Sequence, residues 1–222
     1  MKTTKRVRRP GLSTAAVLRQ HAGVSDVPAP APDDLAVPLC VDLDGTLLNT
    51  DMLWESLKDA ARRRPWVLLL VPVWLLQGRA HLKRRLAARA QVDPATLPFH
   101  HGFVAFLRDE KARGRRLVLA TASDQALAER IAARFDLFAE VLGSDGRRNL
   151  RGRAKAAVLT ERFGLRGFDY AGNSAMDLNV WVAARQAIVV NASAELLAQA
   201  RQRATVARVF PEESGNPCRT PW

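Results

Sequence analysis

The chain has 222 residues, of which 48% are hydrophobic and 25% charged. This balance is that of a soluble globular protein, and it excludes a fibrous repeat and a chain that is disordered throughout. The length suits one sizeable core, or a core domain with a small insert, but not two large domains. The longest apolar stretch, residues 66–76, is about half as long as a membrane-spanning helix must be, and it contains Pro72.

The positive charge of the chain is concentrated in two segments. In total, 34 basic and 22 acidic residues give a net charge of +12. Residues 1–20 hold six basic residues and residues 61–90 hold eight, with no acidic residue in either, so the remainder carries 12 − 14 = −2. Such clusters indicate an anionic partner such as a phosphate ester, an anionic lipid or a nucleic acid. The alternative interpretation is a solvated basic tail and a solvated helix face.

Residues 1–34 are predicted to form a disordered arm, basic at first and proline-rich over 27–32. A secretory signal is the disfavoured alternative, because residues 11–18 are only weakly apolar and Arg19 ends them.

The two cysteines, Cys40 and Cys218, are too few for a disulfide framework, so we expect a reducing compartment. The expected location is therefore cytoplasmic, with the inner face of the membrane as a peripheral alternative.

Short apolar runs alternate with helix-like segments from about residue 35 onward. The runs rich in Val and Leu are 37–41, 116–120, 140–142, 168–171 and 187–190. Several lack polar alternation, which is typical of parallel strands buried on both faces, and Ser123 is a candidate N-cap for the helix after the second run. The pattern predicts an α/β fold with a Rossmann-like, doubly wound parallel sheet, whose active crevice lies beyond the carboxyl ends of the strands.

A helical insert interrupts this alternation after the first predicted strand. About 70 residues separate the first two strands, whereas a crossover needs only a dozen or so. Helical patterns over 52–63, 65–77 and 81–90 predict a small all-helical cap at residues 51–100. We therefore expect the core at residues 35–50 and 101–208, followed by an irregular tail at 209–222.

The first strand runs into the sequence Asp42-Leu43-Asp44-Gly45-Thr46. Two carboxylates at positions i and i+2 of an extended chain project to the same side, and Gly45 permits a sharp turn. Adjacent anions oppose folding unless a cation lies between them, and a hard divalent ion is the obvious candidate. The alternative is an Asp-rich turn that only caps the next element.

This motif resembles the first of four motifs of the haloacid dehalogenase (HAD) superfamily, and the other three follow in order. The second motif, a Thr or Ser that ends an apolar strand, is matched by Thr121, and the third, a Lys that opens a helix, by Lys155. Residues 172–177 resemble the fourth, an acidic loop after a strand. The resemblance covers about residues 37–195, and the predicted cap lies where the family places its first type of cap.

The resemblance implies a Mg²⁺-dependent phosphohydrolase that forms an aspartyl-phosphate intermediate. Asp42 would be the nucleophile, and Asp44 would protonate the leaving alcohol and later deprotonate water. Thr121, Ala122 and Lys155 would bind the phosphoryl group, with Thr121 and Lys155 also acting in catalysis. Asp44 favours phosphate over halide chemistry, because dehalogenases need no leaving-group acid at this position.

The resemblance also implies the metal ligands. Asp42, the backbone carbonyl of Asp44, Asn173 and Asp177 would hold Mg²⁺, and no other cofactor is expected. Asn173 departs from the family pattern, since many relatives have Asp there. An amide oxygen lacks the negative charge of a carboxylate, so metal binding and activity are expected to be weaker.

Residues 51–57, the insert and residues 168–174 resemble one bacterial subgroup, in which a phosphatase-like domain precedes a UbiA-type prenyltransferase. A UbiA-type prenyltransferase is therefore an implied partner, and the chain is either a stand-alone version or a shortened fusion. In the insert, tryptophans near both ends of an apolar segment, flanked by Arg and Lys, are typical of a helix lying on an anionic membrane surface. The alternative is a cap helix buried against its neighbours.

The sequence thus predicts a phosphohydrolase for a small or lipid-linked phosphomonoester. The alternative, favoured by Asn173, is a catalytically weak HAD-like module associated with a membrane prenyltransferase. Nucleic-acid binding rests on charge alone, without a recognition helix or stacking aromatic residues, and is disfavoured.

Overall fold

The computed structural model describes residues 35–145 and 147–213 of the chain. Its centre is a six-stranded sheet with the order β3-β2-β1-β4-β5-β6, and every neighbouring pair of strands is parallel. The strands are β1 (Leu39–Val41), β2 (Leu117–Asp124), β3 (Glu140–Ser144), β4 (Asp169–Gly172), β5 (Ala187–Val190) and β6 (Val206–Phe210). The predicted doubly wound α/β fold is confirmed.

Helices cover both faces of the sheet. The helices are α1 (Met52–Arg63), α2 (Val67–Leu76), α3 (Arg79–Ala87), α4 (His101–Ala112), α5 (Gln125–Phe135), α6 (Arg153–Phe163), α7 (Leu178–Ala183) and α8 (Ala194–Arg203). Single 3-10 turns lie at Pro94–Thr96 and Ala175–Asp177. None of the helices in the described ranges is long and apolar enough to cross a bilayer.

The side chains of β1 divide between two apolar cores, because successive residues of a strand point to opposite faces. Leu39 and Val41 pack in one core with Phe103 of α4 and Ile131 of α5. Cys40 packs in the other core, which includes side chains of α6 and α7. Strands β1, β4 and β5 are buried along their whole length, which explains why their sequences lack polar alternation.

Helices α1, α2 and α3 form the insert between β1 and β2, and they have a small apolar cluster of their own that includes Trp74 and Leu86. Asp51 begins α1 by accepting hydrogen bonds from the first-turn amides. The chain enters and leaves the insert at one place, where the Asn49 amide donates to the carbonyl of Pro98 over 2.9 Å. The boundaries of a separate cap domain stay a prediction.

The C-terminal part of the sheet differs from the expectation. The predicted irregular tail was placed at 209–222, but β6 continues to Phe210 and pairs with β5. No strand is predicted at 206–210, because Arg208 divides the apolar residues of β6 into two short pairs. The predicted arm at 1–34 and tail residues 214–222 lie outside the described residues.

An ionic group, the amino-end cluster, lies where β2 and β4 begin. It consists of the buried residues Glu110, Arg115 and Asp169 and the partly buried Arg185. Arg115 pairs with Glu110 over 2.8 Å and with Asp169, and its Nε donates to the carbonyl of Val37. Arg185 pairs with Asp169 over 2.7 Å. The cluster joins helix α4 to the start of three central strands.

Candidate active site

The residues of the four sequence motifs lie at the carboxyl edge of three adjacent strands. Asp42 directly follows β1, Thr121 lies in the second half of β2, and Asn173 directly follows β4. The sheet order places these strands side by side as β2-β1-β4, so their ends meet at one edge. Lys155 in the first turn of α6 and Asp177 after β4 complete the group. This is the usual crevice for ligands in open α/β sheets.

Lys155 is the centre of the buried carboxyl-end cluster, which consists of Asp42, Lys155, Tyr170 and Asp177. Its Nζ donates to Asp42 Oδ1 over 2.9 Å and to the Tyr170 hydroxyl over 2.7 Å. The tyrosine hydroxyl in turn donates to Asp177 Oδ1 over 2.8 Å, and Asp177 Oδ1 lies 4.0 Å from Lys155 Nζ. The lysine is thus held in a fixed position beside the Asp42 carboxylate.

Asp44 is held by contacts from both sides of the crevice. Its Oδ2 accepts a hydrogen bond from the Ser123 hydroxyl over 2.7 Å, and its Oδ1 accepts one from the Met52 amide over 2.7 Å. The Ser123 amide donates to Thr121 Oγ1 over 3.0 Å, so Asp44 and Thr121 are joined through Ser123. The expectation that Ser123 caps α5 is wrong, because Asp124 is the N-cap and leaves the serine hydroxyl for Asp44.

Lys83 of the insert reaches the same crevice. Its Nζ donates to the carbonyl of Ala122 over 2.8 Å. Burial lowers the pKa of Lys83, whereas the negative charges of Asp44 and Asp51 oppose that shift. The sequence placed this lysine in a basic surface segment, but it points inward, toward the predicted phosphate-binding residue Ala122.

Asp177 organises the loop that follows β4. Its Oδ2 accepts hydrogen bonds from the amides of Asn173 and Ser174, over 3.1 and 2.9 Å, and from the Ser174 hydroxyl. Thr46 donates to Asn173 Oδ1 over 3.3 Å, which connects this loop to the turn after β1. That turn requires Gly45, since its φ is +76° and a Cβ there would lie 1.9 Å from Asn173 Nδ2.

The site carries more negative than positive charge. Burial, with smaller contributions from the charges of Asp177 and Asp44, raises the pKa of Asp42 to about 7 although Lys155 lowers it. Burial also raises the pKa of Asp44. Burial, followed by the charges of Asp177 and Asp42, raises the pKa of Tyr170 well above its usual value, so its hydroxyl remains a donor. A further cation would relieve this excess of negative charge.

The oxygen atoms around the crevice match the preference of Mg²⁺ for hard ligands. Among the described residues, no three Asp, Glu, His or Cys side chains are grouped so that they alone could hold a metal. A metal would therefore need the Asn173 amide oxygen and the Asp44 backbone carbonyl in addition to Asp42 and Asp177. The turn that follows β1 lies against the Asn173 side chain, since Thr46 Oγ1 donates a hydrogen bond to Asn173 Oδ1. The donor set fits Mg²⁺ on this chemistry.

Three residues of the site were not predicted from the sequence: Tyr170, Ser123 and Lys83. Tyr170 had a signal, because it is the only tyrosine of the chain and stands in an apolar strand. A buried tyrosine hydroxyl usually needs a polar partner, and the two partners here are Lys155 and Asp177. Ser123 and Lys83 gave no such signal, since a serine before a helix and a lysine in a basic run have ordinary surface explanations.

A cleft of about 610 Å³ lies beside the crevice, between α3 and the beginning of α5. Arg84, Asp124, Arg130 and Ser144 are among the residues that line it, and none of the predicted catalytic residues does. The volume of this cleft therefore does not indicate the size of a substrate.

The sequence comparisons identify relatives of most of the chain. Residues 39–181, more than half of the chain, match the model of the haloacid dehalogenase-like hydrolases. The uncharacterized protein y4nM of Sinorhizobium fredii is 37% identical over 185 residues, which are 83% of this chain and 36% of that protein. The chain thus spans about a third of the length of this relative.

Solved structures with a similar fold include two phosphoserine phosphatase structures. The match to the apo form has a TM-score of 0.54 at 15% identity, and it covers 79% of this chain and 94% of the phosphatase chain. A phospho-aspartyl intermediate analogue has a TM-score of 0.55 at 15% identity, with coverages of 80% and 94%. A HAD family hydrolase from Salmonella enterica serovar Typhi has a TM-score of 0.53 at 15% identity, with coverages of 78% and 68%. The chain belongs to the haloacid dehalogenase-like hydrolase family.

Proposed function

We propose that the protein is a Mg²⁺-dependent phosphohydrolase that transfers a phosphoryl group from a phosphomonoester to Asp42 and then to water. The observation that carries the proposal is the pairing of buried Asp42 with Lys155, next to an Asp44 held by Ser123. A carboxylate that serves as nucleophile needs a neighbouring cation and a nearby acid for the leaving oxygen. Membership of a hydrolase family supports this reading.

In the first half-reaction, a carboxylate oxygen of Asp42 attacks phosphorus and the bond to the ester oxygen breaks. Protonated Asp44 gives its proton to the departing oxygen, so the alcohol leaves neutral. Burial raises the pKa of Asp44, which favours the protonated form that an acid requires. Lys155 holds Asp42 Oδ1 in place and compensates part of the negative charge that the phosphoryl group brings.

In the second half-reaction, Asp44 is a carboxylate and takes a proton from water. The resulting hydroxide attacks the phosphorus of the aspartyl-phosphate, inorganic phosphate leaves, and the carboxylate of Asp42 is restored. The Ser123 hydroxyl and the Met52 amide keep Asp44 oriented in both steps. Thr121 and the backbone of Ala122 would bind phosphoryl oxygens at the end of β2.

Asp42, the Asp44 carbonyl, Asn173 and Asp177 would hold Mg²⁺, which supplies positive charge to the phosphoryl oxygens when bound. Asn173 in place of an acid lowers the negative charge of the donor set by one. We therefore expect Mg²⁺ to bind more weakly than it would with Asp at this position.

The test is hydrolysis of p-nitrophenyl phosphate by the purified 222-residue chain with Mg²⁺. Asp42→Asn keeps the shape of the side chain but removes the nucleophile, so we expect the rate to fall by at least about 1,000-fold. Chelation of the metal with EDTA should also remove turnover, and added Mg²⁺ should restore it. The control is Asp109→Asn, an exposed position on α4. Equal rates for wild type and Asp42→Asn would overturn the proposal.

That contrary result would favour the second candidate, a catalytically weak module associated with a UbiA-type prenyltransferase. Asn173 favours this candidate, and so does the length of the Sinorhizobium fredii relative, of which the chain covers 36%. Copurification of a prenyltransferase with the tagged protein from solubilised membranes would support it.

The substrate class is proposed to be a small or lipid-linked phosphomonoester. Two neighbours in fold are phosphoserine phosphatases, and their substrate is a small phosphomonoester. Rates measured on a panel that includes phosphoserine and a prenyl phosphate would distinguish the two substrate types. The proposed location is the cytoplasm or the inner face of the membrane, and cell fractionation tests it.

A further inference from the structure

The outer face of α2 exposes a continuous apolar surface. Leu69 and Leu76 are 78% and 89% exposed. About half of the surface of each of its other members is exposed, and these are Trp66, Leu68, Val73 and Leu75. Val67 and Trp74 on the inner side anchor the helix in the apolar cluster of the insert. Single exposed leucines are common in proteins, but so many on one short helix indicate an interaction surface.

The dimensions of α2 limit the kind of partner. The helix has 10 residues and Pro72 within it. Ten residues of α-helix extend about 15 Å, roughly half of the hydrocarbon thickness of a bilayer. The helix is therefore too short to span a bilayer, and it can only lie along the surface of a partner.

Exposed arginines lie at both ends of α2. Arg62 and Arg64 are exposed just before the helix, and Arg79 is exposed just after it. Residues 61–90 contain no acidic residue. In the described ranges, neither Arg64 nor Arg79 forms an ion pair with a carboxylate, whereas the neighbouring Arg63 pairs with Asp59. The partner must therefore be apolar where it contacts the leucines and anionic where it contacts the arginines.

A second copy of the chain does not meet this requirement. A two-fold interface places the same patch on both subunits, so the arginines of one copy would face those of the other. A bilayer with anionic lipid provides both acyl chains for the leucines and negative headgroups for the arginines, and Trp66 has the amphipathic ring that interfaces favour.

We propose that the outer face of α2 docks on the surface of a bilayer that contains anionic lipid. The leucines enter the interface, and the arginines contact the headgroups. The proposal goes beyond the phosphohydrolase activity and does not depend on it, because no residue of the active site takes part.

The first experiment is cosedimentation of the full-length protein with phosphatidylcholine vesicles that contain about 30 mol% phosphatidylserine. We expect the double variant Leu69→Gln, Leu76→Gln to bind at least about tenfold more weakly, because two apolar side chains no longer enter the interface. The matched control is Leu165→Gln, since Leu165 is 69% exposed but lies after α6. Circular dichroism checks that the variants remain folded.

The leucine variants also separate the proposal from binding through the basic segment at residues 1–20. Electrostatic attraction by that segment alone would not change when Leu69 and Leu76 are replaced. Unchanged vesicle binding by the double variant would therefore overturn the proposal. Absence of binding by the wild-type protein at low salt would overturn it as well.

The second experiment changes the charge. Arg64→Gln, Arg79→Gln should weaken binding to the anionic vesicles by about fivefold for each arginine, and salt should weaken the binding of the wild type. Arg201→Gln, Arg203→Gln on the exposed side of α8 is the control and should bind like wild type. If the wild-type protein binds pure phosphatidylcholine vesicles as tightly as the anionic vesicles, the proposed contact between arginines and anionic headgroups is overturned. A dimer in sedimentation velocity that the leucine variant dissociates, without vesicle binding, would identify a second copy as the partner instead.

Discussion

The two buried ionic clusters of the protein lie at opposite ends of the same central strands, and they differ in charge balance. The amino-end cluster pairs two arginines with two carboxylates, and each of its ions has an opposite charge within 3 Å. At the other end, the carboxylates of Asp42, Asp44 and Asp177 face Lys155 and, from the insert, Lys83. The amino-end cluster has as many positive as negative groups, whereas the carboxyl end has three carboxylates for two lysines.

This difference separates a structural cluster from the one that we propose to be reactive. A cluster in which each ion has a partner of opposite charge does not require a further ion, and this one joins helix α4 to the central strands. Burial, together with the negative charges of Asp177 and Asp44, raises the pKa of Asp42 to about 7, and a bound cation would oppose this shift. Variants at the carboxyl end should therefore mainly reduce turnover, and variants at the amino end should mainly reduce stability.

The largest expected effect is on turnover at the carboxyl end. Asp44→Asn removes the proposed acid and base but keeps the size of the side chain, so kcat should fall by about 10²- to 10⁴-fold. The midpoint of urea unfolding should change little. Asp124→Asn is the control, because Asn caps a helix as well as Asp does. A large loss of stability in Asp44→Asn would contradict a role restricted to chemistry.

The next effect is on stability at the amino end. Arg115→Ala leaves Glu110 and Asp169 buried without this partner, so the free energy of unfolding should fall by about 3–5 kcal/mol. Arg116→Ala is the matched control, since it removes a surface ion pair with Glu140 and should cost about 0–1 kcal/mol. Urea titration measures both. The rate per folded molecule should not change, and equal losses of stability would refute the distinction between the two arginines.

Tyr170→Phe should moderately reduce both turnover and stability. The change leaves Asp177 Oδ1 without its tyrosine donor and frees Lys155 from one contact. We expect a loss of about 1–3 kcal/mol in unfolding free energy and a decrease in kcat of about tenfold, with little change in KM. Steady-state kinetics and urea titration give the two values. If kcat stays at the wild-type value, the hydroxyl does not position Lys155.

The smallest expected effect concerns Cys40, which lies on β1 between the two clusters. Burial, followed by the charges of Glu140 and Asp169, raises the pKa of this thiol to about 12. At pH 8 the thiolate fraction is then about 10⁻⁴, and alkylation requires the thiolate. Iodoacetamide should leave Cys40 unmodified in the native protein and modify it in urea, as peptide mass mapping would show. Rapid native modification at pH 8 would mean that β1 is more open than this fold allows.

Much of the fold could be predicted because its signals are local in the sequence. Uninterrupted apolar runs indicated the buried strands, and the long helical stretch after β1 indicated the insert. The edge strand β6 was not predicted, because Arg208 divides its apolar residues into two short pairs. The residues of the four motifs were located for the same local reason, as each stands where a strand ends or a helix begins.

The sequence by itself thus determined the strand and helix pattern and the positions of Asp42, Thr121, Lys155 and Asp177. Only the tertiary structure decided which groups meet them. Lys155 contacts Asp42 across 113 positions of the chain, and Ser123 contacts Asp44 across 79. The direction of Lys83 into the crevice, and the exposure of α2 beside it, follow from how the insert packs on the core. Such contacts depend on the sheet order and helix orientation, which bring distant residues together.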